Sequence, residues 1–254
     1  MPLTLTRTEA LLSGAVLALA LLAALAPPLA QAAHYHHFAD QRSWLGVPCA
    51  LDVLSNLFFA FFGALGLRVL ARVPAAAMTH PLRLLAVLFF VGLLLTALCS
   101  AWYHWQPDDA GLVVDRLGMT VAFAGLLGLG VASQLRARAG WALAPAVLLL
   151  GGASVGAWAL SGNLLPWALL QGSGVLLLLV LAVVPALPCA LAVRWGTVVG
   201  LYALAKGLEL ADHAVFELSG HLVSGHSLKH LVAACAAWPV ISALRALGQN
   251  ATQQ

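Results

Sequence analysis

Five side chains in this sequence have the types and spacings of a hydrolytic metal site. Ser100 and His104 stand four residues apart in CSAWYHWQPDD, residues 99–109, where a strongly apolar run gives way to a polar turn. On a helix that spacing puts both on one face, one turn apart. Beyond the turn, the next apolar run opens LVVDRLG and carries Asp115 about one turn in, near the depth of His104. An unpaired carboxylate there is costly. Further on, SGHSLKHLVAACAAW places His226 and His230 at i and i+4, a spacing at which two imidazoles on one helical face bind a single metal. Three neutral imidazoles and one water complete a tetrahedral zinc site with an open fourth position. Taken singly, each residue has a plainer reading. His226 and His230 would be interfacial histidines at a helix start, Ser100 a small residue in helix packing, and Asp115 a structural bridge to Arg116 or Lys206. Their joint occurrence at one depth favours the site.

The elements that must position these groups are membrane helices. Of 254 residues, 62% are hydrophobic and only 8% charged, and the mean hydropathy is +0.96. A soluble globular domain does not have that composition. The apolar runs are continuous rather than alternating, which predicts helices and not a barrel. Eight windows are long enough to cross a bilayer, centred on residues 10–30, 51–71, 82–103, 112–132, 141–160, 164–184, 193–213 and 228–247. The expected fold is an all-α integral membrane protein with a seven-helix core and one additional N-terminal hydrophobic helix. Residues 1–33 form that extra segment, either a retained span or a signal peptide, and residues 34–254 a single membrane domain. Cys49, Cys99, Cys189 and Cys235 lack CxxC spacing and read as buried or idle thiols.

Threading eight spans in order puts Arg7, Arg68, Arg72, Arg83, Arg136, Arg138, Arg194 and Arg245 at one face, leaving Arg42, Arg116, Lys206 and Lys229 towards the other. The first set marks the cytoplasmic side. Asp40, Asp52, Asp108, Asp109, Asp115, Glu209, Asp212, Glu217 and all histidines except His80 gather opposite. There the end of core helix two meets the starts of core helices three and seven. No basic run or aromatic stripe points to nucleic acid.

SxxxH, then Asp, then HxxxH across a seven-helix core resembles the CREST superfamily of membrane hydrolases, which includes alkaline ceramidases and adiponectin- and progestin-type receptors. FADQRSWLGVPCALDVLSN, residues 38–56, and AKGLELADHAVF followed by SGHSLKH are similar to its bacterial ceramidase-like branch. The resemblance covers residues 38–247. It implies zinc held by His104, His226 and His230, proton handling by Asp115, and positioning of water or stabilisation of an oxyanion by Ser100. Lys206, Glu209 and His213 fall on a common arc of core helix six with Asp212 at its edge. They read either as support for the ligand histidines and headgroup pocket or as a structural salt-bridge network. His34, His36, His37 and His221 read as exposed loop histidines, with accessory metal capture as the alternative. Ser55 and Asn56 read as hydrogen-bonding across helices. Eukaryotic alkaline ceramidases carry calcium in an acidic segment before the first core helix, but here that region offers only Asp40 and Asp52, so a calcium site is doubtful. Asp40, Gln41 and Arg42 would instead cap the zinc pocket.

These readings lead to an expected function: a zinc-dependent amidase that cleaves the linear amide of a ceramide-like or other N-acyl membrane lipid, giving fatty acid and amine. The alternatives are a receptor or sensor on the same fold, and a transporter using Asp115, Glu209, Asp212 and Lys206 as a proton relay. Haem is a further possibility for paired histidines. No obligate protein partner is expected. The arginine pattern and the bacterial-like motifs place the protein in a bacterial inner membrane, with its site towards the periplasmic face.

Overall fold

A computed structural model describes residues 6–185 and 190–251; Cys189 lies outside the described residues. The described chain is all-α, with isolated bridges at Ala30–Asn163 and Trp44–Val47 and no strand. In order the helices are α1 (Arg7–Leu25), α2 (Ala50–Ser55), α3 (Leu57–Arg72), α4 (His80–Trp105), α5 (Asp109–Gln134) and α6 (Ala137–Ser161). Then come α7 (Leu165–Val183), α8 (Trp195–Leu210), α9 (Asp212–Leu218), α10 (Gly225–Cys235) and α11 (Trp238–Ala251). Counting α2–α3 and α10–α11 each as one span, 7 helical segments are long and apolar enough to cross a membrane. The remaining expected window, 193–213, is met by α8, which has only 16 residues before the chain breaks at Ala211 and restarts as α9.

Local chemistry explains where helices begin and end. Thr6 and Glu9 form a reciprocal capping box at the start of α1. The helix stops at Leu25 because Pro27 and Pro28 follow, earlier than the apolar window suggests. Asp108 caps α5 by accepting from the Gly111 amide at 2.7 Å, and Ser224 caps α10 by accepting from Ser227 at 2.9 Å.

Lipid supplies no hydrophobic drive between helices, so their register depends on close packing. The α4–α5 pair is nearly backbone to backbone. A Cβ on Gly92 would lie 2.3 Å from the Ala122 amide nitrogen, and one on Gly125 would lie 2.2 Å from that of Phe89. This contact pins the last turn of α4, with Ser100 and His104, beside the first turns of α5, with Asp115. At the opposite end Gly130 of α5 packs against Leu181 and Trp195, so α8 starts there and runs back towards Asp115. Gly225 then seats α10 on α8, since a Cβ would come within 2.3 Å of the Leu208 carbonyl oxygen. The end of α4, start of α5, end of α8 and start of α10 therefore meet at one end of the bundle, as the helix parity predicts.

The arginines set the other end. Arg136 and Arg138 flank Glu9 at 4.0 and 3.4 Å. Arg83 donates to the carbonyls of Leu70, Val73 and Pro74, which close α3. Both groups belong to the face to which the sequence assigns the basic residues.

Candidate metal centre

The three histidines predicted as ligands converge. His104 near the end of α4 and His226 and His230 on the first turns of α10 have ring centroids 4.7–4.9 Å apart in all three pairs. One nitrogen from each lies within 4.8 Å of the others. All three are buried. The Nε2 atoms of His104 and His226 are 3.2 Å apart. Two nitrogens bound to one tetrahedral metal at about 2.05 Å would be separated by about 3.3 Å, so this pair has the spacing of two ligands.

The tautomer of His230 follows from its partner. Ser55 Oγ donates its one proton to the Asp52 carbonyl at 2.9 Å. It lies 2.7 Å from His230 Nδ1, which must therefore carry the hydrogen and donate. The Nε2 lone pair is left pointing into the cluster, buried and without a hydrogen-bond partner among the described residues. A metal-ligating histidine is oriented in the same way. Ser55 thus bonds across helices, as its position suggests, and its partner is a ligand candidate. Asn56 instead donates back to the Asp52 carbonyl at 2.8 Å. His104 Nδ1 is also buried with no partner among the described residues.

Carboxylates hold α10 in place. Asp212 Oδ1 accepts from the His226 amide at 2.8 Å, while Oδ2 accepts from the Ala39 amide at 2.9 Å. Asp52, fully buried, accepts from the hydroxyls of Ser224 at 3.0 Å and Ser227 at 2.6 Å. Asp212 thereby satisfies one free amide of the helix start, and the two carboxyl groups stand at its positive end.

Asp115 and Ser100 share the wall of a cavity with His230, and the Ser100 hydroxyl faces the Asp115 carboxyl. Asp115 Oδ1 is buried with no hydrogen-bond partner among the described residues. The alternative of a structural bridge is not formed: no ion pair joins Asp115 to Arg116 or Lys206 among them. Arg116 turns away to hydrogen-bond Gln31 and stack over Trp158, 4.2 Å from the ring centre.

The expected arc on core helix six is interrupted. Lys206 and Glu209 lie on α8 and form an ion pair. After the break at Ala211, His213 projects elsewhere, its Nε2 3.2 Å from the carbonyl of His37. Asp212 serves α10 and the outer loop, as described above.

That loop, residues 32–47, covers the histidines. Its plug is Phe38, with ring centroid 4.6 Å from those of both His104 and His226. Asp40, Gln41 and Arg42, expected to form the cap, anchor it instead. Arg42 grips Asp40 through two bonds of 2.8 and 2.7 Å and reaches the Leu222 carbonyl at 3.1 Å. Gln41 donates to the Phe38 carbonyl. Burial pushes the Asp40 carboxyl up, but the Arg42 hydrogen bonds and charge outweigh it and hold the group below its ordinary range. Asp40 is committed to Arg42, whereas Asp52 meets its two serines through Oδ1 alone, Oδ2 being buried with no hydrogen-bond partner among the described residues.

Of the loop histidines, His36 bridges the Tyr103 hydroxyl at 2.9 Å and Asp109 at 3.0 Å. His221 pairs with Glu217 at the surface, and His34 is exposed. Asp108, in the turn before α5, is that helix's cap.

Two residues at the centre were not singled out by motif. Phe38 carried no chemical signal. Lys229 did: it stands between the two histidines of HSLKH, three residues after His226, and so shares that residue's helical face. Its Nζ is 2.9 Å from His226 Nε2 and 3.3 Å from Glu209 Oε1.

Below the polar end, the cavity is apolar. It runs from Ser100 to Phe89 on α4, from Asp115 to Leu126 on α5 and from Glu209 to Val198 on α8. Each path covers eleven residues, an axial depth of about 16 Å. Compared with known proteins, the chain matches no family model and no curated protein sequence.

Proposed function

We propose that this chain is a zinc-dependent intramembrane amidase of the CREST type, hydrolysing the amide of an N-acyl lipid to a fatty acid and an amine. One observation carries the reading: three buried imidazoles, each offering a nitrogen within 4.8 Å of the others, cluster where His230 lines the polar end of a deep apolar cavity, with a carboxyl and a hydroxyl on its wall. A cavity about 16 Å deep suits an acyl chain of roughly thirteen carbons, since each carbon–carbon bond of about 1.5 Å advances an extended chain by about 1.25 Å.

His104, His226 and His230 would hold the metal through Nε2. When bound, zinc supplies a Lewis acid for the amide carbonyl and lowers the pKa of water to about 7. The protein's residues account for the remaining steps. Asp115 takes a proton from the attacking water on a carboxyl oxygen and returns it to the amine nitrogen as the C–N bond breaks. Ser100, against that carboxyl, orients the water or donates to the developing oxyanion. Phe38 seals the outer side, excluding bulk water, and the acyl chain in the apolar shaft holds the scissile bond at the histidines.

The crowding of three rings at one point favours a single ion over haem, which needs a ligand on each side of a flat macrocycle. The arginine end fits the cytoplasm by the positive-inside rule, which puts the histidines towards a periplasmic face in a bacterial inner membrane.

Metal analysis of purified protein, paired with hydrolysis of an N-acyl lipid panel, tests this reading. His226→Ala should lose zinc and activity together. A receptor would bind zinc without turnover, and a proton relay would function without zinc; either result would replace the amidase reading.

A further inference from the structure

The amidase reading gives no task to the lysines at the polar end of the cavity. Lys206 and Lys229 both line it, with Glu209 between them. Both ammoniums pair with the same carboxylate, Glu209. Asp115, on the facing wall, forms no ion pair with either lysine among the described residues.

Lys229 also cannot keep its second partner. Its Nζ approaches His226 Nε2 at 2.9 Å, the atom that would ligate the metal. An imidazole nitrogen has one lone pair, so metal binding there removes the acceptor. The ammonium then retains only Glu209, itself shared with Lys206. A largely buried ammonium without partners for its remaining protons is costly, and an anion in the cavity would relieve that cost.

We propose that Lys229, with Lys206 and Glu209, forms an anion site beside the metal, so that the preferred substrates carry a carboxylate next to the scissile amide, as N-acyl amino acids do. This rests on the amidase reading and specifies its substrate. Lys229 lies one residue from His230 and three from His226, so its charge sits within a few ångströms of the reacting carbonyl. The carbon attached to the amide nitrogen is the nearest place where an N-acyl lipid can carry an anion without disturbing either the amide or the tail. A ceramide's neutral headgroup brings the Lys229 ammonium no anion to replace the acceptor it loses at His226.

The test compares N-myristoyl-glycine with N-myristoyl-ethanolamine, which share a tail and an amide and differ in charge. Equilibrium binding is measured on the zinc-loaded Asp115→Asn variant, and turnover on the wild-type chain. A hydrogen bond to a charged group predicts that the glycine conjugate binds roughly tenfold or more tightly. Adding Lys229→Met should bring the two affinities within about twofold, and Lys229→Arg should keep most of the gap. Lys206→Met should narrow the gap by leaving Glu209 to neutralise Lys229, and it decides the question should Lys229→Met fail to fold. Equal binding of the two lipids, or a gap that survives both methionine variants, overturns the proposal. A binding gap without hydrolysis of either lipid would leave the anion site standing and remove the amidase reading; hydrolysis of both without a gap would do the reverse.

Discussion

Replacing Ser55 with alanine should weaken zinc binding although Ser55 touches no metal. The hydroxyl accepts from His230 Nδ1 at 2.7 Å, and the ring it orients is only 2% exposed. Without the hydroxyl, the Nδ1 hydrogen loses its 2.7 Å acceptor and is left underpaired in a buried place, or the ring rotates and turns its lone pair away from the cluster. An unsatisfied buried donor costs about 1–3 kcal/mol, which converts to roughly 5- to 150-fold in an equilibrium constant. Loss of a partner behind a ligating histidine typically costs about 10–100-fold in metal affinity, the same range. The assay is chelator competition for zinc at fixed pH, with Ser55→Thr as the control that keeps a hydroxyl. Ser55→Ala should bind zinc at least tenfold more weakly, and Ser55→Thr close to wild type. Equal affinities for wild type and Ser55→Ala would refute the tautomer argument and with it the claim that His230 presents Nε2 to a metal.

Asp115→Asn should retain most of its zinc yet lose about 10²–10⁴-fold in turnover, because it removes a proton acceptor and no ligand; undiminished turnover would refute the proton role. Val199→Trp fills the far end of the cavity on α8 and should shift acyl-chain preference towards shorter lipids, read from rates across a chain-length series. The Asp40–Arg42 clamp should be insensitive to mild acid. A carboxyl whose folded pKa is depressed stabilises the fold above its unfolded value and loses that contribution only as pH falls through the folded one. For Asp40 the clamp should hold from neutral pH to the ordinary 3.8 and fail below it. Hydrogen exchange at the Arg42 amide, which donates to Asp40 at 3.1 Å, measures this once corrected for intrinsic rate, and loosening there between pH 7 and 5 would contradict it.

The candidate site residues were legible because helical spacing is a local signal. SxxxH and HxxxH place side chains on one face wherever the helix sits, and span parity brings the two motifs to one end of the bundle. What escaped notice depends on contacts between distant segments or on breaks in the helices. Ser55 meets His230 across 175 residues, and Phe38 reaches the ligand rings from a loop whose sequence has no helical period. Ala211 interrupts core helix six because Asp212 is drawn to the amides of His226 and Ala39, so His213 leaves the arc that hydropathy alone suggests. Lys229 was visible in HSLKH, but as a charge on the outer face; its significance lies in the 2.9 Å to His226.

The central claim is that His104, His226 and His230 together bind one divalent ion. Zinc stoichiometry measured by elemental analysis, on wild type and on the three single alanine variants, tests it most directly. The account predicts one zinc per chain in the wild type and near-complete loss in each variant, with the fold retained. A zinc-free wild type prepared without chelator, or one zinc per chain surviving in any of the three variants, would contradict it.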